Sequence, residues 1–382
     1  MKRLIALLVF ALALVSAGSV APAAASVQQA PAAPKSGPVP GQYIVTLKPD
    51  VKPAGFLTSN GIAARYVYDA ALNGFAATLN QGQLNALSRN PHVERIEQDQ
   101  YVTGSATQSP APWHVDRIDQ RNLPLSNTYA YTSTASNVRV YMLDSGIQTS
   151  HPEFGGRATV GYDGVGDGRN GQDCSGHGTH TAGLVGSDTY GVAKGVNLVA
   201  VRVADCTATS SAALLIAGIN WVLNNRTLPA VANISLTGSA NNSIDIAINN
   251  LINSGVIVVA AAGNNNRDTC AFSPARATGV IAVAASNSSD ARAAFSNYGA
   301  CVDLYAPGVD LTSSWIGSST NTLRGTSMAA PLVSGVVALY LSSNPTATTS
   351  TVTSWLITNS TPNKITSNPT GTPNRLLYKA GL

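Results

Sequence analysis

The sequence is poor in charged residues. Of its 382 residues only 11% are Asp, Glu, Lys or Arg, against roughly 25% in an average soluble domain. The hydrophobic share of 44% excludes a disordered chain, which combines low hydrophobicity with high net charge. The formal net charge is +4 and no dense patch of Lys and Arg is present, so the basic footprint of a nucleic-acid-binding protein is missing. We therefore expect a globular protein with a large core and no nucleic acid as a partner.

Long apolar runs are also missing beyond the N-terminus. Lys2 and Arg3 precede an apolar run from residue 4 to residue 18, and the alanines at 23–25 offer a small-residue cleavage site. A membrane span needs about 20 apolar residues, so the pattern predicts a signal peptide at residues 1–25 and disfavours the alternative, an uncleaved anchor. We expect a secreted, extracellular protein with no membrane partner.

Cysteine is scarce as well. The four cysteines include no C-x-x-C pair, which makes a thiolate metal site a weak hypothesis. An exported protein can keep disulfides. Four cysteines allow three pairings, and their spacing alone does not choose among them. The four are Cys174, Cys206, Cys270 and Cys301.

Composition and periodicity divide the first hundred residues. Residues 26–40 are rich in Ala, Pro, Gln and Ser, which is typical of a linker. Residues 41–105 then form a separate unit, in which strands and helices alternate as β-α-β-β-α-β, a small α+β ferredoxin-like arrangement. The predicted strands lie at 42–47, 65–68, 74–79 and 93–102, with a helix at 81–87.

The remaining residues, 106–382, read as one large α/β domain. Short, nearly continuous apolar strands alternate with helices, which indicates a mostly parallel sheet covered by helices on both faces. The predicted strands are 138–143, 198–203, 231–236, 256–260 and 280–284, and the predicted helices are 177–187, 211–224, 244–254 and 327–342.

Histidines that could serve as a base are few. His177 and His180 lie in a Gly-rich run that opens a predicted helix. Two histidines three residues apart share a helix face, so a metal pair is the competing interpretation. The zincin pattern H-E-x-x-H is absent and no Glu is nearby. We therefore expect a structural role for His180 and a catalytic role for His177.

An aspartate and a serine complete the constellation. Asp144 follows the strand 138–143, at the edge where open α/β sheets build their sites. Ser327 lies in a turn before an apolar helix. Either residue alone would more simply be a helix cap. Together with His177 they give the chain order Asp, His, Ser, whereas the G-x-S-x-G pattern of the α/β-hydrolases is absent.

Three segments carry a family resemblance. Residues 140–146, 176–183 and 325–331 resemble the three signature blocks of the subtilisin superfamily, the subtilases, and the chain is most similar to its proteinase K branch and aqualysin-like members. The resemblance implies a subtilisin-like fold and a serine endopeptidase. It implies that Ser327 is the nucleophile, His177 the general base and acid, and Asp144 the carboxylate that orients His177. Asn264 matches the oxyanion-hole asparagine, although a turn asparagine beside glycine would be the simpler interpretation of that residue alone.

The resemblance also implies how substrates bind. A peptide would add as a strand between two enzyme segments. The sequence departs from the family at Thr237, Ala208 and Ser210, where the family has glycines, so the substrate preference is uncertain while catalysis is not. The implied substrate-binding residues are Ser235, Leu236, Thr237, Gly238, Ala208, Thr209 and Ser210.

Processing and partners follow from the same resemblance. Residues 41–105 resemble the family's inhibitory propeptide, with a cut expected near Ser105–Ala106. The expected partners are protein and peptide substrates and the chain's own propeptide as an intramolecular inhibitor, and we expect a monomer. The bridges implied are Cys174–Cys206 and Cys270–Cys301.

Calcium is the implied cofactor, in a structural role. Two backbone carbonyls and one carboxylate would hold it, which fall on Thr278, Val280 and Asp303; oxygen ligands suit this ion. A turn residue is the simpler interpretation of Asp303. A further candidate site consists of Asp116, Asp119 and Gln120, but Ser126 stands where some relatives have Asp.

Two other functions compete with a peptidase. Another serine hydrolase, such as an esterase, would use the same residues, so cleavage of protein discriminates the two. A catalytically inactive subtilase-fold binding protein is the alternative from a different class, and the intact set of Asp144, His177, Ser327 and Asn264 argues against it.

Overall fold

The computed structural model of the protein describes residues 38–100 and 106–382. The predicted signal peptide, nearly all of the predicted linker and Ser105 at the predicted processing site lie outside the described residues. Two main sheets are present in the described ranges, one of four strands and one of nine. Each has its own buried cluster of side chains.

The four-stranded sheet belongs to the N-terminal unit. Its strand order is β2-β3-β1-β4 and its strands pair antiparallel, so the predicted ferredoxin-like unit is confirmed. Val45, Phe56 and Phe75 are buried at its centre. Asn80 starts the second helix through a reciprocal capping box with Gln83. The elements are β1 (Pro38–Leu47), α1 (Pro53–Asn60), β2 (Ala64–Tyr68), β3 (Gly74–Thr78), α2 (Gln81–Leu87) and β4 (Val93–Gln100).

The larger unit alternates strands and helices. Two single-turn 3-10 helices, Pro152–Phe154 and Thr269–Ala271, lie between them. The other elements are β5 (Ala106–Gln108), α3 (Trp113–Asp119), β6 (Tyr129–Tyr131), β7 (Arg139–Asp144), β8 (Ala158–Asp163), α4 (His177–Gly186), β9 (Asn197–Arg202), α5 (Ala212–Asn225), β10 (Ala230–Ile234), β11 (Gly238–Ser239), α6 (Asn242–Asn253), β12 (Ile257–Ala261), β13 (Phe272–Ser273), β14 (Ile281–Ser286), β15 (Leu304–Pro307), β16 (Leu311–Trp315), β17 (Ser319–Leu323), α7 (Thr326–Ser343), α8 (Thr349–Asn359), β18 (Thr361–Pro362) and β19 (Arg375–Leu376).

The nine-stranded sheet has the order β18-β19-β15-β14-β12-β10-β7-β9-β8. Every neighbouring pair is parallel except β18 and β19. Along β7, Val140 and Met142 face one core cluster while Tyr141 and Leu143 face the other. Burial on both faces explains the continuous apolar character of these strands and confirms the predicted sheet.

Helices cover both faces of this sheet. Residues of α4 and α7 join the cluster that contains Val140, and residues of α5 and α6 join the cluster on the opposite face. Among the described helices, α7 is long and apolar enough to cross a membrane, but most of it is buried inside the fold, as in the core helix of a globular domain. The sheet and α7 together hold the site described next.

Candidate active site

Three neighbouring elements carry Asp144, His177 and Ser327. Asp144 is the last residue of β7, His177 is the first residue of α4, and Ser327 is the second residue of α7. β7 lies between β9 and β10 in the sheet, and α4 packs beside α7 on the same face. The site therefore lies at the carboxyl edge of a parallel sheet, where open α/β sheets bind their ligands.

The Asp144 carboxylate is buried and saturated with donors. Its Oδ1 accepts from Nδ1 of His177 at 2.7 Å and from the Ser145 N–H at 2.8 Å. Its Oδ2 accepts from the Thr181 hydroxyl at 3.2 Å. The side chain of Asp144 is 0% exposed, whereas that of His177 is 19% exposed. The carboxylate thus holds the proton of His177 on Nδ1 and leaves Nε2 as the acceptor for a serine.

The environment shifts the pKa of His177 upward. Burial disfavours the protonated ring, but the charge and hydrogen bond of Asp144, with a smaller contribution from Asp173, outweigh burial and raise the pKa above its usual value. A raised pKa means that the imidazolium is stabilised by these carboxylates. This is the form that exists after the ring has taken a proton from a nucleophile.

Ser327 is held by an unusual helix start. Its hydroxyl donates to the carbonyl of Ser235 at 3.0 Å, and the Ser235 hydroxyl donates to the carbonyl of Ser327 at 3.0 Å. Pro331 lies inside α7 and has no N–H to give to the Ser327 carbonyl four residues earlier. The Ser235 hydroxyl therefore takes the place of the missing helix bond and joins the backbone of Ser327 to the segment after β10.

The side chain of Asn264 lies next to the backbone N–H of Ser327. Its Oδ1 accepts from the N–H and the hydroxyl of Thr326, at 2.9 and 3.0 Å. With the oxygen anchored, Nδ2 is left as a free donor. A Cβ built on Gly325, whose φ is 155°, would lie 3.4 Å from Nδ2 of Asn264 and 3.6 Å from the Ser327 nitrogen. Both nitrogens thus lie close to the position that a Cβ at residue 325 would take.

The predicted substrate-binding segments form the two walls of one cleft. It has a volume of about 310 Å³ and is lined by Ala208, Thr209 and Ser210 on one side and by Leu236, Thr237 and Gly238 on the other. Ala208 has a φ of 58°, a conformation that favours glycine. Ser235 precedes Leu236, so one wall leads directly to Ser327.

Thr237 connects two segments at the cleft. Its hydroxyl donates to the Ala261 carbonyl at 3.3 Å, and its methyl would be 3.2 Å from a Cβ built on Gly263. The side chain therefore spans the gap between the segment after β10 and the segment after β12, where the family has a glycine. Thr237 also lines the cleft.

Two disulfides join the pairs that the resemblance implies. Cys174 is bonded to Cys206, and Cys270 is bonded to Cys301. Cys174 lies three residues before His177, and Cys206 lies two residues before Ala208 on the cleft wall. The first bridge therefore ties the segment that carries the imidazole to the substrate cleft.

The first predicted calcium cluster has the chemistry that the ion prefers. Burial raises the pKa of Asp303 to about 6, against the effects of the Ala282 N–H and of Arg375. One carboxylate oxygen accepts from the Ala282 N–H at 2.8 Å. Thr278 and Val280 flank Gly279, a turn residue with a φ of 82°, just before β14. A half-buried carboxylate whose bonded partner Ala282 lies two residues after Val280 fits a hard cation, together with the backbone carbonyls of that turn.

The second predicted calcium cluster is differently arranged. Asp119 forms an ion pair with the buried Lys379 at 3.0 Å and accepts from the Ala130 N–H. Asp116 accepts three bonds from Ser126 and Asn127. The side-chain oxygen of Gln120 accepts from the Ser126 N–H as well. A cation at this cluster would have to displace these donors, so the first cluster fits calcium better.

His180 has a structural environment. Its Nε2 lies 3.0 Å from the Leu311 carbonyl and 3.1 Å from the Asn321 carbonyl, so it binds both strands of the β16–β17 hairpin. Burial lowers its pKa to about 4, which keeps the ring neutral. His177 and His180 therefore bind different partners and do not converge on a metal, which agrees with the expected structural role of His180.

Several residues of the site were not predicted. Ser145, Thr181 and Thr326 each donate a bond to Asp144 or Asn264, and Asp173 accepts bonds near His177. All four lie inside or beside the three signature segments. Their position was the only signal in the sequence, because Ser, Thr and Asp are common in turns.

The site combines a carboxylate, an imidazole and a serine, carried by three elements at the carboxyl edge of a parallel sheet. Serine hydrolases have this class of site. Residues 135–378 match the Subtilase family, and residues 42–104 match the peptidase inhibitor I9 family. The chain therefore belongs to the subtilase family of serine endopeptidases and carries an inhibitor I9 region ahead of the peptidase domain.

Individual relatives support this family assignment. An extracellular serine proteinase of Thermus sp. (strain Rt41A) is 48% identical over 407 aligned positions, which cover 99% of this chain and 99% of the relative. Alkaline serine exoprotease A of Vibrio alginolyticus is 44% identical over 323 positions, covering 83% of this chain and 60% of the relative. The crystal structure of a cold adapted subtilisin-like serine proteinase superposes with a TM-score of 0.70 at 45% identity, covering 71% of this chain and 99% of that structure. The alternative of an inactive binding protein finds no support in these relatives.

Proposed function

We propose that the protein is secreted as a precursor and hydrolyses peptide bonds in proteins through an acyl-enzyme on Ser327. The observation that carries the proposal is the 2.7 Å bond between His177 and the buried Asp144 carboxylate, at the start of a helix that packs in the same core cluster as α7, the helix that carries Ser327. In this proposal the three residues form one catalytic triad.

The reaction has two halves. Ser327 Oγ attacks the carbonyl carbon while His177 Nε2 takes the hydroxyl proton, and the ring then gives that proton to the leaving amine as the C–N bond breaks. Water then attacks the acyl-enzyme with the same help from His177, which releases the acid and restores the serine hydroxyl. Asp144 keeps Nδ1 protonated throughout and stabilises the imidazolium.

The developing oxyanion would lie in the space beside Gly325. Nδ2 of Asn264 and the Ser327 nitrogen both lie near that space, and the Thr326 bonds fix the orientation of the amide. Donors fixed before the reaction stabilise the transition state without reorganisation. This supports the role of Asn264 as an oxyanion-hole donor.

The substrate would add as a strand between the two walls of the 310 Å³ cleft. Leu215, Leu236 and Ile244 line the cleft, which supports a substrate with an apolar side chain there. Thr237, which lines the cleft where the family has glycine, would favour smaller substrate side chains. These substrate-binding roles belong to the proposal.

Residues 41–105 would act as the inhibitory propeptide, released by a cut near Ser105–Ala106. The match to inhibitor I9 over residues 42–104 and the separate core of this unit support a region that folds as a domain of its own. The extracellular Thermus relative, similar over 99% of this chain, supports export, with residues 1–25 as the signal peptide.

Calcium would stabilise the enzyme at Thr278, Val280 and Asp303. The ion would supply positive charge next to the half-buried carboxylate of Asp303. It would link the turn before β14 to the segment before β15 and would take no part in catalysis. The two other residues contribute backbone carbonyls, so Asp303 is the side chain through which the site is tested below.

The experiment that tests the proposal is casein hydrolysis by the secreted protein. We expect activity from wild type, none after phenylmethylsulfonyl fluoride treatment and none from Ser327→Ala, which should also retain residues 41–105. Ser343→Ala, at the exposed far end of the same helix, is the matched control and should stay active and processed. Protein cleavage that survives Ser327→Ala in a pure sample would contradict the assignment of the nucleophile, and turnover of esters without cleavage of protein would favour an esterase.

A further inference from the structure

Asp173 is a carboxylate outside the proposed triad with five hydrogen-bond donors around it. Its Oδ1 accepts from the Ser145 hydroxyl at 2.9 Å and from the N–H groups of Ser175 and Gly176 at 2.9 and 3.0 Å. Its Oδ2 accepts from the N–H and the hydroxyl of Thr179 at 2.8 and 2.7 Å. So many partners fix both the position and the orientation of this carboxylate.

These contacts complete the start of the helix that carries His177. The N-cap residue of α4 is Gly176, which has no side chain to cap the free N–H groups of the first turn. The Gly178 N–H donates to the Ser145 hydroxyl at 2.9 Å, and the Thr179 N–H donates to Asp173. Two side chains from outside the helix therefore cap its first turn. One of them, Asp173, places a negative charge at the positive end of the helix dipole.

Ser145 joins this cap to the strand that carries Asp144. Its N–H donates to the Asp144 carboxylate at 2.8 Å, while its hydroxyl donates to Asp173 and accepts from Gly178. Ser145 is completely buried. A Cβ built on Gly178 would lie 2.1 Å from the Gly146 carbonyl, so the helix start and the strand end are in direct contact. One buried serine thus links the two elements whose side chains must meet.

We propose that Asp173 and Ser145 are positioning residues that lock the His177 ring against Asp144, and that the charge of Asp173 helps to stabilise the imidazolium formed during the reaction. The inference rests on the proposed role of His177 as the general base. It goes beyond that role because it assigns part of the base's strength and alignment to a carboxylate that never touches the substrate.

The electrostatic part of the inference involves three titratable groups near His177. Asp144 on β7 and Asp173 before α4 favour the charged ring and burial opposes it, while His180 stays neutral because its own pKa is lowered to about 4. Removal of the Asp173 charge should therefore make His177 easier to deprotonate. The acid limb of the activity profile should move to lower pH, while loss of alignment should lower turnover.

The first test compares Asp173→Asn with wild type in the processed enzyme. We expect kcat to fall about tenfold or more with KM within about twofold, because alignment affects the transition state more than binding. We expect the acid inflection of kcat/KM to move to lower pH by about half a pH unit. Asp188→Asn, an exposed carboxylate just after the other end of α4, is the matched control and should leave both quantities unchanged. An inflection that stays in place in Asp173→Asn would overturn the electrostatic part.

A second readout does not depend on activity. In the Ser327→Ala protein, NMR titration of the His177 ring should give a lower pKa when Asp173→Asn is added, and an equal pKa would overturn the inference. If the wild-type enzyme cleaves no protein, the proposed function fails, while this titration still tests the effect of Asp173 on His177.

Ser145→Ala tests the alignment separately and covers the case in which Asp173→Asn does not fold. It removes the link while the Asp173 charge remains, so kcat should fall several-fold with the acid inflection in place. A lower melting temperature with unchanged kcat would mean that Ser145 serves stability alone and would overturn the positioning role.

Discussion

At the scale of single residues, the site depends on which atom of a side chain is left free. Asn264 is exposed, yet its amide is held because the oxygen accepts two bonds from Thr326. The Thr326 hydroxyl is itself oriented by the Gly263 N–H, which donates to it at 3.1 Å. The orientation of Nδ2 is therefore fixed before any substrate arrives, which is the condition that the proposed oxyanion role requires.

Asn264→Ala tests the proposed role of the amide as a hydrogen-bond donor to the oxyanion. We expect kcat to fall about 10²–10³-fold with KM nearly unchanged, a range that comes from removal of such a donor in subtilisin. The substitution also removes the two Thr326 bonds, so a modest loss of thermal stability should accompany it. Steady-state kinetics on a peptide anilide measure the effect. The neighbouring Asn265→Ala should keep near wild-type kcat, and an Asn264→Ala enzyme with full kcat would contradict the oxyanion role.

At the scale of elements, the sequence predicted those with a strong apolar pattern. β7, β9, β10, β12 and β14 agree with their predicted ranges within a few residues, as do α4 to α7. The β16–β17 hairpin was not predicted, because its strands consist mostly of Ser, Thr and Asn and lack an apolar run. Its place depends on long-range contacts such as those with His180, which no local pattern reveals.

The candidate site shows the same difference between residues with a local sequence pattern and residues that depend on long-range contacts. Asp144, His177 and Ser327 could be predicted because each lies in a recognisable segment in a fixed chain order. The link through Ser145 and the replacement of a helix bond by Ser235 could not. Each depends on a single hydroxyl whose partner lies about 30 to 90 residues away in the chain, and a lone serine gives no signal of such a partner.

The proposed calcium site also concerns the arrangement of elements, since it links the segments before β14 and β15. Chelation with EDTA should lower the melting temperature of the inhibited enzyme. A ligand at 100 times its dissociation constant adds about 2.7 kcal/mol of stability. Asp303→Asn should be less stable than wild type in calcium and nearly insensitive to EDTA. Asp119→Asn changes the other cluster, in which Lys379 pairs with Asp119, and should show the same fall in melting temperature with EDTA as wild type. A wild-type melting temperature that EDTA leaves unchanged would contradict a structural calcium ion.

At the scale of the whole molecule, two buried neutral histidines couple folding to pH. His114 holds the segment after β5 to the Tyr190 carbonyl at 2.9 Å, and His180 holds the β16–β17 hairpin. Within the described residues, Nδ1 of each ring is buried without a hydrogen-bond partner. Burial lowers the pKa of each to about 4. Protonation of either ring in the fold would place a charge where no acceptor receives the second proton.

The sign of the pH effect follows from these pKa values. An unfolded histidine takes up a proton near its usual pKa of 6.5, while the folded rings resist protonation until about pH 4. Unfolding therefore takes up protons between these values, and the stability that each neutral ring contributes is complete above pH 6.5 and is lost as the pH falls toward 4. At pH 5 the loss is about 2 kcal/mol for each ring.

His114→Gln is the variant that isolates this effect, because glutamine can keep an N–H donor toward Tyr190 without titrating. Between pH 7.5 and pH 5 we expect the melting temperature of wild type to fall further than that of His114→Gln, by roughly 4 °C or more. The measurement uses enzyme inhibited with phenylmethylsulfonyl fluoride, since autolysis would otherwise follow unfolding. Val196→Ala, a buried cavity variant without a titrating group, should lower the melting temperature about equally at both pH values. An equal pH effect in wild type and His114→Gln would mean that His114 accepts its proton in the folded protein as readily as in the unfolded chain.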